Sequence, residues 1–579
     1  MPDNKKLPQP KFLPMTRPEM KRLGWDGIDV LLVTGDAYVD HPAFGPALLG
    51  RWLVEHGFRV GLVAQPDWRH AESLTVMGRP RLLAGVTAGA LDSMVAHYTA
   101  FRKKRSDDAY TPGGEAGARP NRATLVYANL VRQAFPGLPV ILGGIEASLR
   151  RAVHYDFWSD RIRRSILLDA KADLLIYGMA ERSLLEAAQR LEADPRGSLK
   201  GLPGTAFACD SFDPPAGTRV VTWPSLEEIQ ADPKKLMAAA LAMEEQVHLA
   251  DHWAVQKSGD RTVYFAPPAE PLTTKELDHL LALGYSRRPH PSYQAPIPAV
   301  AMLAVSLNTH RGCGGGCSFC SLALHQGRRV RSRSLESILA EARHLAADPE
   351  FKGSISDVGG PSAGMWGAEC LSQEPCRRVS CLYPTICPFF KVDQQANIEM
   401  LRALKKLPGI RHVRVASGLR YDLALEDPSA LSALAAEFVG GQLKVAPEHV
   451  SDTVLKLMRK PGARRFEEFM ALFRKASQQA GKEQFLVPYL LSAFPGTTDR
   501  DMEQLARWLK DRGWKPQQVQ CFIPTPGTVA TAMYAAGIDP QGRPISVPKT
   551  DADRLRQHHI LIREPRTPVK TGDRKKGRR

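Results

Sequence analysis

Apolar residues along this chain gather in short continuous runs separated by amphipathic stretches, the pattern of strands buried on both faces and the helices that cover them. Gly27-Ile-Asp-Val-Leu-Leu-Val-Thr-Gly35 reads as a buried parallel strand, residues 45–56 as a helix, and Phe58-Arg-Val-Gly-Leu-Val-Ala64 as the next strand. The alternation returns at Leu83, at 138–144 and at 172–178, so an N-terminal doubly wound, Rossmann-like α/β domain is expected over 1–290. A second series of apolar runs covers 300–307, 354–358, 413–417, 443–447, 485–491 and 519–523, with helical stretches between them, which argues another parallel sheet.

The connections are marked by composition. Residues 102–122 form a charged Gly/Pro-containing insertion without periodicity and read as a surface loop. Residues 204–235 are rich in Gly, Pro and Asp, 236–253 read as a helix, and prolines at 289, 291, 296 and 298 mark the passage into the second domain, expected at 299–547.

With 579 residues, 43% of them apolar and 24% charged, the chain can build two or three proper cores. The N-terminus lacks an apolar signal segment and no run is long enough to span a membrane, which predicts a cytoplasmic protein with reduced thiols. The net charge of +17 suggests nucleic acid, but residues 563–579 hold eight basic and two acidic side chains and account for much of it. Residues 548–579 are expected to be a basic, disordered tail, with RNA contact the less favoured reading.

Candidate chemistry lies in the cysteines. Cys313, Cys317 and Cys320 follow the apolar run 300–307 in Gly312-Cys-Gly-Gly-Gly-Cys-Ser-Phe-Cys320. Three thiolates can hold three irons of a cubane and leave the fourth open, where a fully ligated electron carrier uses four. Glycines at 312, 314, 315 and 316 are expected to allow positive φ and a close wrap. A structural zinc with His310 or His325 as fourth ligand is the weaker alternative, because zinc favours paired C-x2-C ligands.

Cys313-x3-Cys317-x-Phe319-Cys320 resembles the signature of the radical S-adenosylmethionine (SAM) superfamily, and His325-Gln-Gly-Arg-Arg-Val-Arg-Ser-Arg-Ser334 is similar to the continuation in its methylthiotransferase-like branch. Taken with the long N-terminal half, the chain most resembles the YgiQ family. The resemblance implies a partial (β/α)6, TIM-like radical SAM barrel and an enzyme that uses a 4Fe–4S cluster to cleave SAM reductively. A 5′-deoxyadenosyl radical would then act on a substrate that the resemblance does not supply. A reductant such as flavodoxin or ferredoxin is the implied partner, with no membrane involved.

The resemblance also assigns SAM-binding positions at strand ends. Gly359 and Gly360, in Asp357-Val-Gly-Gly-Pro-Ser-Ala363, stand where the family presents backbone carbonyls to the methionine ammonium, although proline replaces the family's glutamate. Ser417, Arg420, Glu448 and Arg459 are candidates for the SAM carboxylate and ribose, since guanidinium matches carboxylate and glutamate accepts from hydroxyls. The segments 494–498 and 522–528 would close over the adenine. Gly143-Gly-Ile-Glu-Ala-Ser148 and Gly178-Met-Ala-Glu181 are similar to cobalamin-binding-like domains. Cobalamin itself is not expected, because Asp40-His-Pro-Ala-Phe-Gly45 fails the D-x-H-x-x-G spacing and leaves His41 an ordinary loop residue.

Cys370, Cys376, Cys381 and Cys387 crowd an insertion at 365–390, a candidate auxiliary cluster or zinc site, with the buried or redox-pair reading preferred. Cys209 and Cys521 are expected to be structural. The rival to an enzyme is an iron–sulfur RNA-binding or assembly protein that keeps a structural cluster and does not turn SAM over.

Overall fold

Val30–Thr34 is buried at every position, as a strand covered on both faces must be, and pairs in parallel with Val60–Ala64 and with Leu83–Thr87. Val140–Leu142 and Leu174–Ile176 extend the parallel sheet beyond Leu83–Thr87. The spatial order 60–64, 30–34, 83–87, 140–142, 174–176 changes direction after the first strand in the chain. Such a switch point opens a crevice at the carboxyl ends of the strands. The computed structural model describes residues 7–562 except Pro375 and Gln517.

The same sheet continues through Thr205–Ala208, Arg261–Phe265 and His252–Ser258 in antiparallel pairings and ends on Arg219–Thr222. These strands lie partly in the stretch read as irregular. Arg219–Thr222 is an edge strand that buries no residue fully, so its sequence carries no hydrophobic run to find.

Six parallel segments build the second domain in chain order. Ser306–Asn308 pairs with Asp357–Gly359, and Ser354–Ile355 pairs with His412–Val413. Parallel bridges from Ala363 to Leu419 and from Leu419 to Val445 carry the sheet to Gln442–Glu448, which Phe485–Ser492 and Gln518–Cys521 complete. Helices Leu335–Ala346, Gln394–Lys405, Pro428–Glu437 and Ala463–Gln479 cover this partial barrel. Ile338, Leu401, Leu431 and Phe469 share one apolar core with Leu307, Val358, Val413 and Leu443. A further core spans both domains, joining Tyr155, Phe157 and Leu236 to Val454, Phe494, Phe522 and Tyr534.

Three sequence expectations change. Residues 300–307 are not one strand: Pro298–Leu303 is a helix with proline in its first turn, and only Ser306–Asn308 is extended. The insertion 102–122 is not merely surface, because Arg119 is buried and paired with Asp108 at 2.8 Å and with Asp36 at 3.0 Å. The tail does not begin at 548: Asp551–Ile562 is a helix whose buried Arg554 donates to the Phe522 carbonyl at 2.6 Å. The remaining expected tail, 563–579, lies outside the described residues. No helix among the described residues is long and apolar enough to cross a membrane.

Candidate active site

The cysteine loop leaves the carboxyl end of the first barrel strand, where catalytic groups of α/β barrels collect. Of its four glycines only Gly312 takes positive φ, 82°, and a Cβ there would lie 2.5 Å from the Arg329 carbonyl oxygen. The other three are glycine for clearance. A Cβ at Gly314 would meet the Phe390 ring at 2.7 Å, and one at Gly316 would meet the Val379 carbonyl oxygen at 1.9 Å. At Gly315 it would stand 3.4 Å from Cys313 Sγ and 4.0 Å from Cys317 Sγ, so both sulfurs lie over the same glycine. The Cys320 N–H donates to the Cys317 carbonyl at 3.1 Å and closes the turn.

Burial pushes the Cys313 thiol up, and the Cys320 thiol up to about 12. Thiols held this way ionise against a cationic partner such as iron, and three sulfurs on one loop suit a cluster. Among the described residues no three His, Cys, Asp or Glu side chains stand close enough to share a single metal ion. A cubane takes each sulfur on a separate iron and needs no common point, and two sulfurs over Gly315 with a third cysteine on the same turn suit that group. Of the two histidines considered for zinc, His325 Nδ1 lies 3.0 Å from Ser148 Oγ, and His310 Nδ1 lies 2.9 Å from Thr309 Oγ1 while its buried Nε2 has no hydrogen-bond partner among the described residues.

Beside the loop sits a buried charged group. Arg420 Nη1 lies 3.8 Å from Cys317 Sγ, while its Nε donates to Asp422 Oδ1 at 2.9 Å and its Nη2 donates to Oδ2. Burial raises the Asp422 carboxyl, but the Arg420 charge and hydrogen bonds outweigh it and hold the group below its ordinary value. Glu448 stands 3.8 Å from Lys460 Nζ, and burial pushes its carboxyl up despite the facing Lys460 and Arg420 charges. Glu448 follows a register shift after Val445 and has φ 69°, a bulge that re-aims its side chain at the strand end. Asp422 and Lys460 were missed by sequence reasoning, although Asp422 lies two residues after Arg420 and Lys460 directly follows Arg459.

The remaining candidates divide. Ser417 donates to Asp357 through its hydroxyl, and its N–H donates to the same carboxylate at 3.0 Å; a Cβ on Gly359 would lie 3.2 Å from its Oγ. The Gly359 carbonyl already accepts from Thr309 N–H at 2.7 Å and from its hydroxyl at 3.2 Å, which leaves Gly360 as the better placed of the pair. Arg459 reaches the backbone of the cysteine loop, donating to the Gly316 carbonyl at 3.3 Å, and pairs with Glu244 of the N-terminal domain at 2.6 Å. Phe494 and Phe522 pack edge to face, centroids 5.4 Å apart, within the shared core beneath Phe319.

A cavity of about 400 Å3 lies between the domains, at the switch point of the first sheet. Its walls include Val86, Gly143 and Ile176 at the strand ends, and Arg311, Leu322 and His325 flanking the cysteine loop. Gly144, φ 77°, lets the backbone pass where a Cβ would lie 2.2 Å from Thr87 Oγ1. Arg311 is held against Glu181 at 2.6 Å across the domain boundary. His41 does not line this cavity; its Nδ1 accepts from the Ala43 N–H at 3.0 Å within its own loop.

Family models agree with this architecture: the one described as radical SAM N-terminal matches residues 12–306, and the one described as radical SAM superfamily matches 307–509. Fold and sequence together define a radical SAM enzyme. A UPF0313 protein of Geobacter sulfurreducens is 51% identical over 559 residues, covering 95% of this chain and 92% of its own. The UPF0313 protein YgiQ of Salmonella typhimurium is 44% identical over 618 residues, covering 95% and 85%. The chain belongs to the UPF0313, or YgiQ, family. Among solved structures, the radical SAM methyltransferase TsrM from Kitasatospora setae, with cobalamin and a 4Fe–4S cluster bound, matches at TM-score 0.50 and 15% identity over 93% of both chains. That likeness is one of fold.

Proposed function

We propose that Cys313, Cys317 and Cys320 hold a 4Fe–4S cluster and that SAM binds beside it, against Gly360, Ser417, Arg420 and Glu448. When bound, the cluster supplies one electron that cleaves SAM to methionine and a 5′-deoxyadenosyl radical, which takes hydrogen from a substrate. The observation that carries this reading is the juxtaposition of three thiols on one loop with the Arg420 guanidinium beside Cys317 Sγ. Arg420 presents planar donors suited to a carboxylate, and Glu448 presents acceptors suited to ribose hydroxyls. Both side chains are largely covered, 12% and 14% exposed, which limits water at the reacting centre.

The cavity at the switch point is the proposed seat of the substrate. A cobalamin, the group bound in the TsrM structure, is the competing occupant. Reconstitution in the presence of hydroxocobalamin separates the two, since retained cobalt in proportion to protein would favour the corrinoid. The enzymatic reading is tested by anaerobic reconstitution, reduction with dithionite and assay for 5′-deoxyadenosine. Product is expected from the parent and none from Cys317→Ala. Unchanged SAM with a fully loaded parent, or full activity in the variant, would refute it.

A further inference from the structure

The second cysteine group lies against the first. The Cys381 N–H donates to the Gly314 carbonyl at 2.9 Å, and the Ser380 hydroxyl accepts from the Gly316 N–H at 3.1 Å. The chain then turns back on itself. Cys387 N–H donates to the Cys381 carbonyl at 2.7 Å, and Glu369–Cys370 pairs antiparallel with Phe390–Lys391, bringing Cys370 opposite Phe390. As a result Cys370, Cys376 and Cys387 all act electrostatically on the Cys381 sulfur.

A buried cation faces this group. Arg328 lies in the field of Cys381, Glu244 and Cys376, donates through Nε to His248 Nδ1 at 3.1 Å, and donates through Nη2 to the Arg378 carbonyl at 2.5 Å. Its Nη1 is buried with no hydrogen-bond partner among the described residues. An unpartnered guanidinium nitrogen on a side chain in the field of the Cys381 and Cys376 sulfurs suits an anionic thiolate assembly. Side-chain hydrogen bonds, not regular structure, order the segment: Arg378 donates to the Ser380, Tyr383 and Thr385 carbonyls at 3.2, 3.3 and 2.7 Å. Its regular structure is a pair of two-residue strands, and its apolar packing is a small cluster around Met365, Leu382 and Phe390 that includes Cys381 and Cys387. Short segments of this kind are commonly fixed by a metal site.

We propose that Cys370, Cys376, Cys381 and Cys387 bind a second, fully ligated iron–sulfur cluster, seated against the loop of the first. Four soft sulfur donors admit either zinc or iron–sulfur. The sulfurs do not converge on one point as a single zinc ion requires. A cubane takes each sulfur on a separate iron and needs no common point, and four ligands leave no corner open for SAM.

The test uses the full chain, reconstituted anaerobically with iron and sulfide, and read by iron, zinc and sulfide analysis with EPR of the reduced protein. The parent should take up about eight irons, and Cys313→Ser/Cys317→Ser/Cys320→Ser about half of that, with an EPR signal that SAM does not move. Cys370→Ser/Cys376→Ser/Cys381→Ser/Cys387→Ser should also keep about half, with a signal that SAM does move. Iron near background in a folded first-loop variant overturns the proposal, as does one zinc per chain in place of the second set of irons. Should the first-loop variant fail to fold, the four-cysteine variant decides alone, and iron equal to the parent's overturns the proposal. Absence of SAM cleavage in every sample would count against the enzymatic reading and leave this count untouched.

Discussion

Replacing Arg420 by methionine separates the energetic role of this residue from its role toward SAM. The Asp422 side chain is only 4% exposed and receives two donors from Arg420. Removing one partner of a buried pair strands the other charge, at a cost of about 3–5 kcal/mol. Asp422 would retain the Leu423 N–H at 3.1 Å and the attraction of Lys460, so the lower end, about 3 kcal/mol, is expected. For a domain of this size that lowers the melting temperature by roughly 6–12 °C. Arg420→Met/Asp422→Leu strands neither charge and should recover most of the loss, because apolar replacement of both partners is commonly neutral. Neither variant should bind SAM, since both lack the guanidinium beside Cys317. Anaerobic thermal melts give the first quantity, and calorimetric titration of SAM into reconstituted protein gives the second. A single variant melting within about 2 °C of the parent would refute the energetic argument. A double variant that binds SAM as the parent does would remove Arg420 from the site.

Gly316→Ala should at least halve the iron bound, because its Cβ would overlap the Val379 carbonyl oxygen, whereas Gly418→Ala, with nothing within 4 Å, should leave it unchanged; equal iron in the two variants would remove the clearance argument. Glu244→Gln breaks the pair with Arg459, whose side chains are 18% and 7% exposed, and should cost about 2–3 kcal/mol in urea unfolding. An unchanged midpoint would show that the pair does not join the domains. Stability should fall as pH drops from 6.5 toward 4, because burial pushes His41 down to about 3 and His154 and His449 down to about 4. Each histidine then takes up its proton only on unfolding, worth up to about 1.4 kcal/mol per pH unit. Asp36, which burial pushes up to about 6, works in the opposite direction and offsets one of the three. Melting temperatures at pH 7.5, 6 and 5 should therefore decline, and a rise would contradict the histidine assignment.

What could be read from the sequence follows from where the signal was stored. Val30–Thr34, Val60–Ala64 and Leu83–Thr87 are covered on both faces, so burial itself writes a continuous apolar run. The run at 300–307 suits a helix or a strand equally by period, and Pro298 was the cue that its first part is helical. The cysteine spacing was legible because it is local. The partners of Arg420 and Arg459 were not, since Asp422 competes with every other acid until the chain is folded, and Glu244 arrives from another domain. The Rossmann-like region was recognised from its parallel half, while the antiparallel extension to Arg219–Thr222 passed as irregular because an exposed edge needs no apolar pattern.

The glycines of the cysteine loop mark a deeper change in the picture. Positive φ and a close wrap around a cluster are the expected reasons for all four, yet Gly314, Gly315 and Gly316 do not use positive φ. They are small because other chain segments come close: Phe390 and Val379 press from the second cysteine segment, while Cys313, Cys317 and Arg420 crowd Gly315. From a different direction Arg459 reaches the Gly316 carbonyl while held by Glu244, and Ser318 donates its hydroxyl to the Leu457 carbonyl at 2.7 Å. Three parts of the chain therefore fix one loop, and its geometry is a product of tertiary assembly rather than of a pliable sequence. A loop held this way keeps its sulfurs in place before any cluster arrives, which lowers the ordering cost of metal binding. These contacts run through backbone groups and the Ser380 hydroxyl rather than through the sulfurs of the second segment, so the first loop keeps its support when those sulfurs alone are changed.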